Sequence, residues 1–371
     1  MEREAHIGFS PGGLATGIGS VPYLNADEAL DLIFSELPDI PHWPQLPRLG
    51  EREHFVHQFL KPLVSCGTLE AVAGHWTFNT SRDDNAACLT DFYTTCLPAE
   101  EGDGECLHGF LPPEEAAIGF HAFLSRARTD VFKQAQYVKG QIAGPLSVAL
   151  SLKDLDGRPA YYQGDLRDII VRTLALNAHS QAAALAGSGR TPIIFVDDPA
   201  ISAYGSRLHL ALDRTTIIED LNFIFSAIRS GEALAGVHAC EALDWSLLLE
   251  SDMQILSIDA FRFGASLIPY AEQLVRFIRR GGVVAWGIVP TLEDPFGESV
   301  ESLFNRLLAL WHELFFKRLD HQSVLRNSMI TPSCGTGLLT IERARRIYRL
   351  TADLSRHLRG RHERIDPILF P

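Results

Sequence analysis

The sequence has no apolar run near the ~18 residues that a membrane span needs. Its N-terminal stretch MEREAHIGFSPGG holds no apolar signal-peptide core. The expectation is a cytoplasmic protein with no membrane partner. A basic excess is also missing: 33 Lys and Arg stand against 46 Asp and Glu, a formal net charge of −13. That excludes the electrostatic footprint of a dedicated nucleic-acid binder. No 20–50-residue period marks a repeat protein. No glycine-rich loop opens a helix after the first strand-like segment, as a dinucleotide fingerprint would require. The six cysteines include no C-x-x-C pair. In a cytosolic chain they stay mostly reduced, so they are candidate metal ligands or nucleophiles rather than disulfides.

What is present is an ordinary globular composition, 46% hydrophobic and 21% charged, in 371 residues. That length allows two or three domains or one large α/β barrel. Short β-branched runs alternate with longer amphipathic stretches. The predicted strands are Leu14–Gly19, Tyr137–Ala143, Pro192–Val196, Leu234–Val237, Ile255–Ile258, Gly282–Trp286 and Ser328–Thr331, with an eighth near Phe55–Val64. Helices are predicted over Asn25–Leu37, Asp165–Ala186, Thr215–Ser230, Tyr270–Arg280, Val300–Leu319 and Ile341–Leu358. Asn25 with Glu28 three residues later is a capping-box-like start. Apolar strands alternating with helices imply a parallel sheet covered on both faces. About eight such units suggest a (β/α)8 TIM barrel, an open doubly wound sheet being the alternative. Residues 66–115 break the alternation and carry Cys66, Cys88, Cys96 and Cys106. They are read as an insertion after the second strand region of a single catalytic domain spanning 1–371, their cysteines structural or incidental.

The sharpest chemical signal is His238-Ala239-Cys240 at the end of an apolar run. Residues i and i+2 of a strand point to one side, so an imidazole and a thiolate reach a common point, a pairing that suits zinc. Asp259 ends the next strand, in QILSIDAF, and Cys334 follows ITPS before GTG. In a parallel barrel these strand ends open on one face. His238, Cys240, Cys334 and Asp259 are therefore a candidate four-donor zinc set. Other strand ends carry Gly19-Ser20, Gly144-Pro145 and Asp197-Asp198. Paired acids there suit a ligand ammonium, and Ser20 a carboxylate; helix capping is the alternative for each.

The motifs ATGIGSVP, QIAGPLS, IIFVDDPA, HAC and PSCG, in that order, resemble the C-terminal catalytic barrel of cobalamin-independent methionine synthase. They also resemble the wider superfamily with uroporphyrinogen decarboxylase and the zinc methyltransferases of methanogens. The resemblance runs from about residue 14 to 338. It implies a TIM barrel with Zn2+ on His238, Cys240 and Cys334, and with Asp259 where the family has a glutamate. It places homocysteine against Gly19, Ser20 and Asp197, and keeps Asp294 from the family's acid-catalytic segment. The implied activity is S-methylation of a thiol, most naturally homocysteine in methionine biosynthesis, through a zinc thiolate. The chain departs from the family in three places. It has no room for the duplicated N-terminal barrel. Ser151 stands where a Trp stacks the folate donor, and Phe296 where the acid His would be. The expected donor is therefore a methyl-corrinoid (methylcobalamin) brought by a partner protein, since no D-x-H-x-x-G cobalamin motif is present. Alternatives are a coenzyme-M-like thiol as acceptor, a non-catalytic zinc or corrinoid-binding barrel, and a uroporphyrinogen decarboxylase-like enzyme. The last lacks its Arg-rich substrate motif here.

Overall fold

A computed structural model describes residues 8–72, 75–127, 134–206 and 211–361. The first seven residues of the N-terminal stretch and residues 362–371 lie outside the described residues. The described residues form ten strands. β1 (Leu14–Ala15), β4 (Tyr137–Ala143), β6 (Thr191–Asp197), β7 (Leu234–Ala239), β8 (Ile255–Ile258), β9 (Val283–Val289) and β10 (Ser328–Pro332) form one sheet. Its order is β1-β10-β9-β8-β7-β6-β4, and every pairing is parallel. β2 (Leu69–Val72), β3 (His75–Phe78) and β5 (Lys153–Asp154) form a second, three-stranded sheet.

The large sheet curls because its two edges share one neighbour. Residues 39–45 run between β1 and β4, with parallel bridges Ser20–Gln45 and His42–Lys139. On one side Trp43 N donates to Lys139 O at 3.1 Å and Lys139 N to Pro41 O at 2.9 Å. On the other, Gln45 N donates to Gly19 O at 3.1 Å and Val21 N to Gln45 O at 3.0 Å. The eighth extended segment is thus 39–45. Phe55–Val64, expected in that role, instead forms the 3-10 turn His57–Phe59 and the start of helix Lys61–Ser65. Pro62 explains this: it fits the first turn of a helix, where its missing N–H is not needed.

Of the other predicted strands, the first is cut short at Ala15 instead of running to Gly19, and the rest stand close to their predicted bounds. All seven residues of β9 are buried, as a strand covered on both faces requires. Helices fill the connections: Ala26–Glu36, Gly164–Ala186, Arg214–Ser230, Ala271–Arg279, Val300–Phe315 and Ile341–Arg361. Asn25 caps the first of these, its side chain accepting from Asp27 N and Glu28 N. Trp286 of β9 meets Trp311 edge-on at 6.1 Å beneath helix Val300–Phe315, both fully buried. Residues 66–115 hold the β2–β3 hairpin and helices Asn85–Glu100 and Gly104–His108. No described helix is long and apolar enough to cross a membrane. Because all seven strands run the same way, their C-terminal ends share one face, which collects the chemistry-bearing residues.

Candidate metal centre

β7 ends at Ala239, so His238 is its penultimate residue and Cys240 lies one residue past it. Cys334 comes from the neighbourhood of β10, by a route that the backbone fixes. The register of β10 against β9 shifts between Thr331 and Pro332, a bulge that redirects the chain. Gly287 makes room for it: a Cβ there would meet Ile258 O at 2.3 Å and Ser333 Cα at 2.9 Å. Ser20 then clamps the following loop. Its carbonyl accepts from Thr336 N at 2.9 Å and its Oγ from Gly337 N at 3.2 Å. A Cβ on Gly335 would lie 2.2 Å from Ser20 Oγ, so glycine is needed beside Cys334.

The result is a three-donor cluster. One ligand atom each of His238, Cys240 and Cys334 lies within 4.8 Å of the others. His238 is 4% exposed. Its Nδ1 meets Ser257 Oγ at 3.0 Å, which leaves Nε2 as the ring's second polar atom. That Nε2 is buried and makes no hydrogen bond. A buried orphan nitrogen costs free energy unless something binds it. Hydrogen bonding from Cys240 holds the Cys334 thiol well below its usual range, against burial and helped by His238. The same hydrogen bond pushes Cys240 up. Imidazole nitrogen plus two sulfurs fits zinc with an open fourth position, and Ser257 supplies the outer partner that orients a metal-binding histidine.

Asp259 is not among the three. Its Oδ1 accepts from Arg262 N at 2.9 Å and caps helix Ala260–Phe263. Burial pushes this carboxyl up to about 6, opposed by the Arg262 N–H.

The paired acids divide. Asp198 is fully buried and accepts from Leu146 N and Ser147 N at 2.9 Å each and from Ser147 Oγ. It therefore caps helix Pro145–Ser151 from across the sheet, and Gly144 has no Cβ because Asp198 Cβ would be 2.1 Å away. Burial pushes it up to about 6, outweighing those hydrogen bonds. Asp197 faces the cluster: it is paired in register with His238, and its buried Oδ1 accepts no hydrogen bond. Burial raises this carboxyl while Lys139 opposes. Gly19 abuts Gln141 and Gln45, which would sit 2.9 and 3.1 Å from an added Cβ. Asp294 is exposed in the turn after β9, where its Oδ1 accepts from Phe296 N at 3.2 Å. Among the described residues, Cys66, Cys88, Cys96 and Cys106 join no metal-binding group.

Sequence reasoning missed two residues, Ser257 and Lys139. Both are polar residues inside strands that read as apolar, and that interruption is the signal that finds them.

No protein-family model matches the chain, and no curated protein matches it in sequence. Solved structures are similar in part, among them the following two. A B12-independent methionine synthase from Shewanella sp. W3-18-1, in complex with selenomethionine, aligns at TM-score 0.44 and 18% identity, covering 64% of this chain and 67% of that one. An endo-beta-1,4-mannanase double mutant from Cellulomonas fimi aligns at TM-score 0.35 and 15% identity, covering 64% of this chain and 58% of that one. At these scores neither neighbour assigns an activity to this chain.

Proposed function

We propose that this protein is a zinc-dependent methyltransferase that activates a thiol, homocysteine, for S-methylation, on a (β/α)8 barrel closed by residues 39–45. The observation that carries the reading is the convergence of His238, Cys240 and Cys334 from two strand ends, with the imidazole Nε2 buried and unpartnered. His238, Cys240 and Cys334 are the donors that would hold the metal. Asp259, expected as a fourth donor, serves as a helix cap. Zinc held there would supply the charge that keeps a thiol deprotonated at neutral pH, where a free thiol, with a pKa of about 8.5, is mostly protonated.

The protein's own residues bind and orient. Asp197 offers a buried, unsatisfied carboxylate oxygen beside the cluster, suited to a substrate ammonium. Ser20 accepts from Gly337 N and so keeps its hydroxyl proton to donate to a carboxylate. Holding the sulfur in line with the methyl carbon turns a bimolecular encounter into a positioned one, the main source of acceleration available here. In the transfer the sulfur–carbon bond forms as the bond from methyl to donor breaks. The donor in this reading is a methyl-corrinoid protein. Ser151, at the position of the folate-stacking Trp, bonds only Val148 O of its own helix and offers no aromatic platform.

Metal analysis of the purified wild type and of Cys240→Ser and Cys334→Ser tests the centre. About one zinc per wild-type chain is expected, with a clear loss in each variant. Unchanged zinc in both variants overturns the assignment. Methylcobalamin with homocysteine, followed by the corrinoid absorption change, tests the transfer; no wild-type turnover overturns the activity.

A further inference from the structure

Beneath the cluster lies a charge that the mechanism above leaves unused. Lys139, in β4, is 0% exposed and points into the barrel. Its Nζ donates to Ile18 O at 2.5 Å and to Gln141 Oε1 at 3.1 Å, and sits 4.6 Å from the Phe195 ring centroid. An ammonium has three donors, so one N–H is left without a protein acceptor among the described residues. From residues 39–45, His42 also faces it. That ring bonds Trp43 O and Tyr348 OH, and burial and the Lys139 charge keep it neutral. Among the described residues, the carboxylate whose charge acts on Lys139 is Asp197. Asp197 in turn has a buried Oδ1 without a partner. A buried cation and a half-buried carboxylate with one buried oxygen each therefore keep one unmet valence, close enough to feel each other's charge.

We propose that Lys139 is a specificity-determining residue whose buried charge, set against Asp197, leaves the acceptor pocket electrically neutral and so selects a zwitterionic thiol over a purely anionic or cationic one. The inference rests on the thiol-activating reading. Lys139 acts on the acceptor through its field and by positioning. Its bond to Ile18 O holds the segment after β1 that leads into Gly19 and Ser20, and its bond to Gln141 fixes the side chain against which Gly19 packs. Coulomb interactions over a few ångströms at an effective dielectric of ~20 are strong enough for removal of one charge to change relative affinities roughly tenfold.

The test loads the full chain with Co2+ and titrates homocysteine (zwitterionic), cysteamine (cationic) and 3-mercaptopropionate (anionic). Binding is read from the cobalt–sulfur absorption band, without turnover. In Lys139→Met the affinity for 3-mercaptopropionate relative to cysteamine should fall roughly tenfold. In Asp197→Asn the same ratio should rise by a similar factor, which keeps the proposal testable if the lysine variant folds poorly. A ratio that stays within twofold in both variants, or an equal loss for all three thiols, overturns the role of Lys139. If no thiol alters the wild-type spectrum, the thiol-activating reading falls and this proposal with it.

Discussion

Replacing Ser257 by Ala probes the centre without touching a donor atom. Ser257 is 0% exposed and holds His238 Nδ1 at 3.0 Å. Removing the hydroxyl frees the ring to turn and leaves Nδ1 buried without a partner. An orphaned buried group costs about 1–3 kcal/mol. Loss of the outer partner of a metal-binding histidine lowers metal affinity by roughly 10–100-fold, or about 1.4–2.8 kcal/mol. Competition with a chelator of known affinity measures that factor. Thermal melts in chelator and in excess zinc separate the two costs. A purely structural loss lowers the melting temperature equally in both. A loss of ring orientation shrinks the stabilisation that zinc provides, because ligand binding adds RT ln(1 + [L]/Kd) to the native state. Zinc affinity in Ser257→Ala within twofold of wild type would refute the claim that this hydrogen bond aims Nε2 at a metal.

The parts of the molecule legible from sequence are those where one local signal dominates. β4 and β8 stand at their predicted bounds because each is a short, mainly apolar run between helical stretches, even though Lys139 and Gln141 interrupt the one and Ser257 the other. The segment 39–45 was hidden by Pro41 and Pro44, which argue against a strand. The ladder tolerates them because it draws on the amides of Trp43 and Gln45 and the carbonyls of Pro41 and Gln45. Small pairings such as β3 with β5 join residues 75 apart or more and leave no local pattern. At the site, His238 and Cys240 were legible from strand periodicity and Cys334 from its place after an apolar run. The direction of the Asp259 carboxylate was not, since capping depends on the backbone turn that follows. Nor was the division between Asp197 and Asp198. One faces the cluster and the other caps a helix across the sheet, which only the approach of Gly144 to Asp198 decides.

Two further substitutions carry clear expectations. Asp259→Asn keeps a good helix cap, since Asn and Asp cap about equally, but removes the negative charge a donor would need. Melting temperature and zinc affinity should both stay near wild type, and a loss of affinity beyond tenfold would restore Asp259 as a ligand. Glu53 supplies a pH signature. It is 1% exposed, its Oε1 accepts from Ile118 N at 2.8 Å and its Oε2 from Leu46 N at 3.4 Å. Burial pushes it from 4.5 up to about 7, against those two N–H groups. The folded state then holds this proton more tightly than the unfolded chain. Its contribution is fully present below pH 4.5 and is lost as the pH rises through about 7. A shift of that size corresponds to about 3 kcal/mol. Glu53→Gln cannot ionise, and its amide oxygen can keep the shorter bond from Ile118. Urea midpoints between pH 5 and 8.5 should therefore show the variant gaining on the wild type as pH rises. A difference between the two that is flat across the range would mean that burial does not hold this proton.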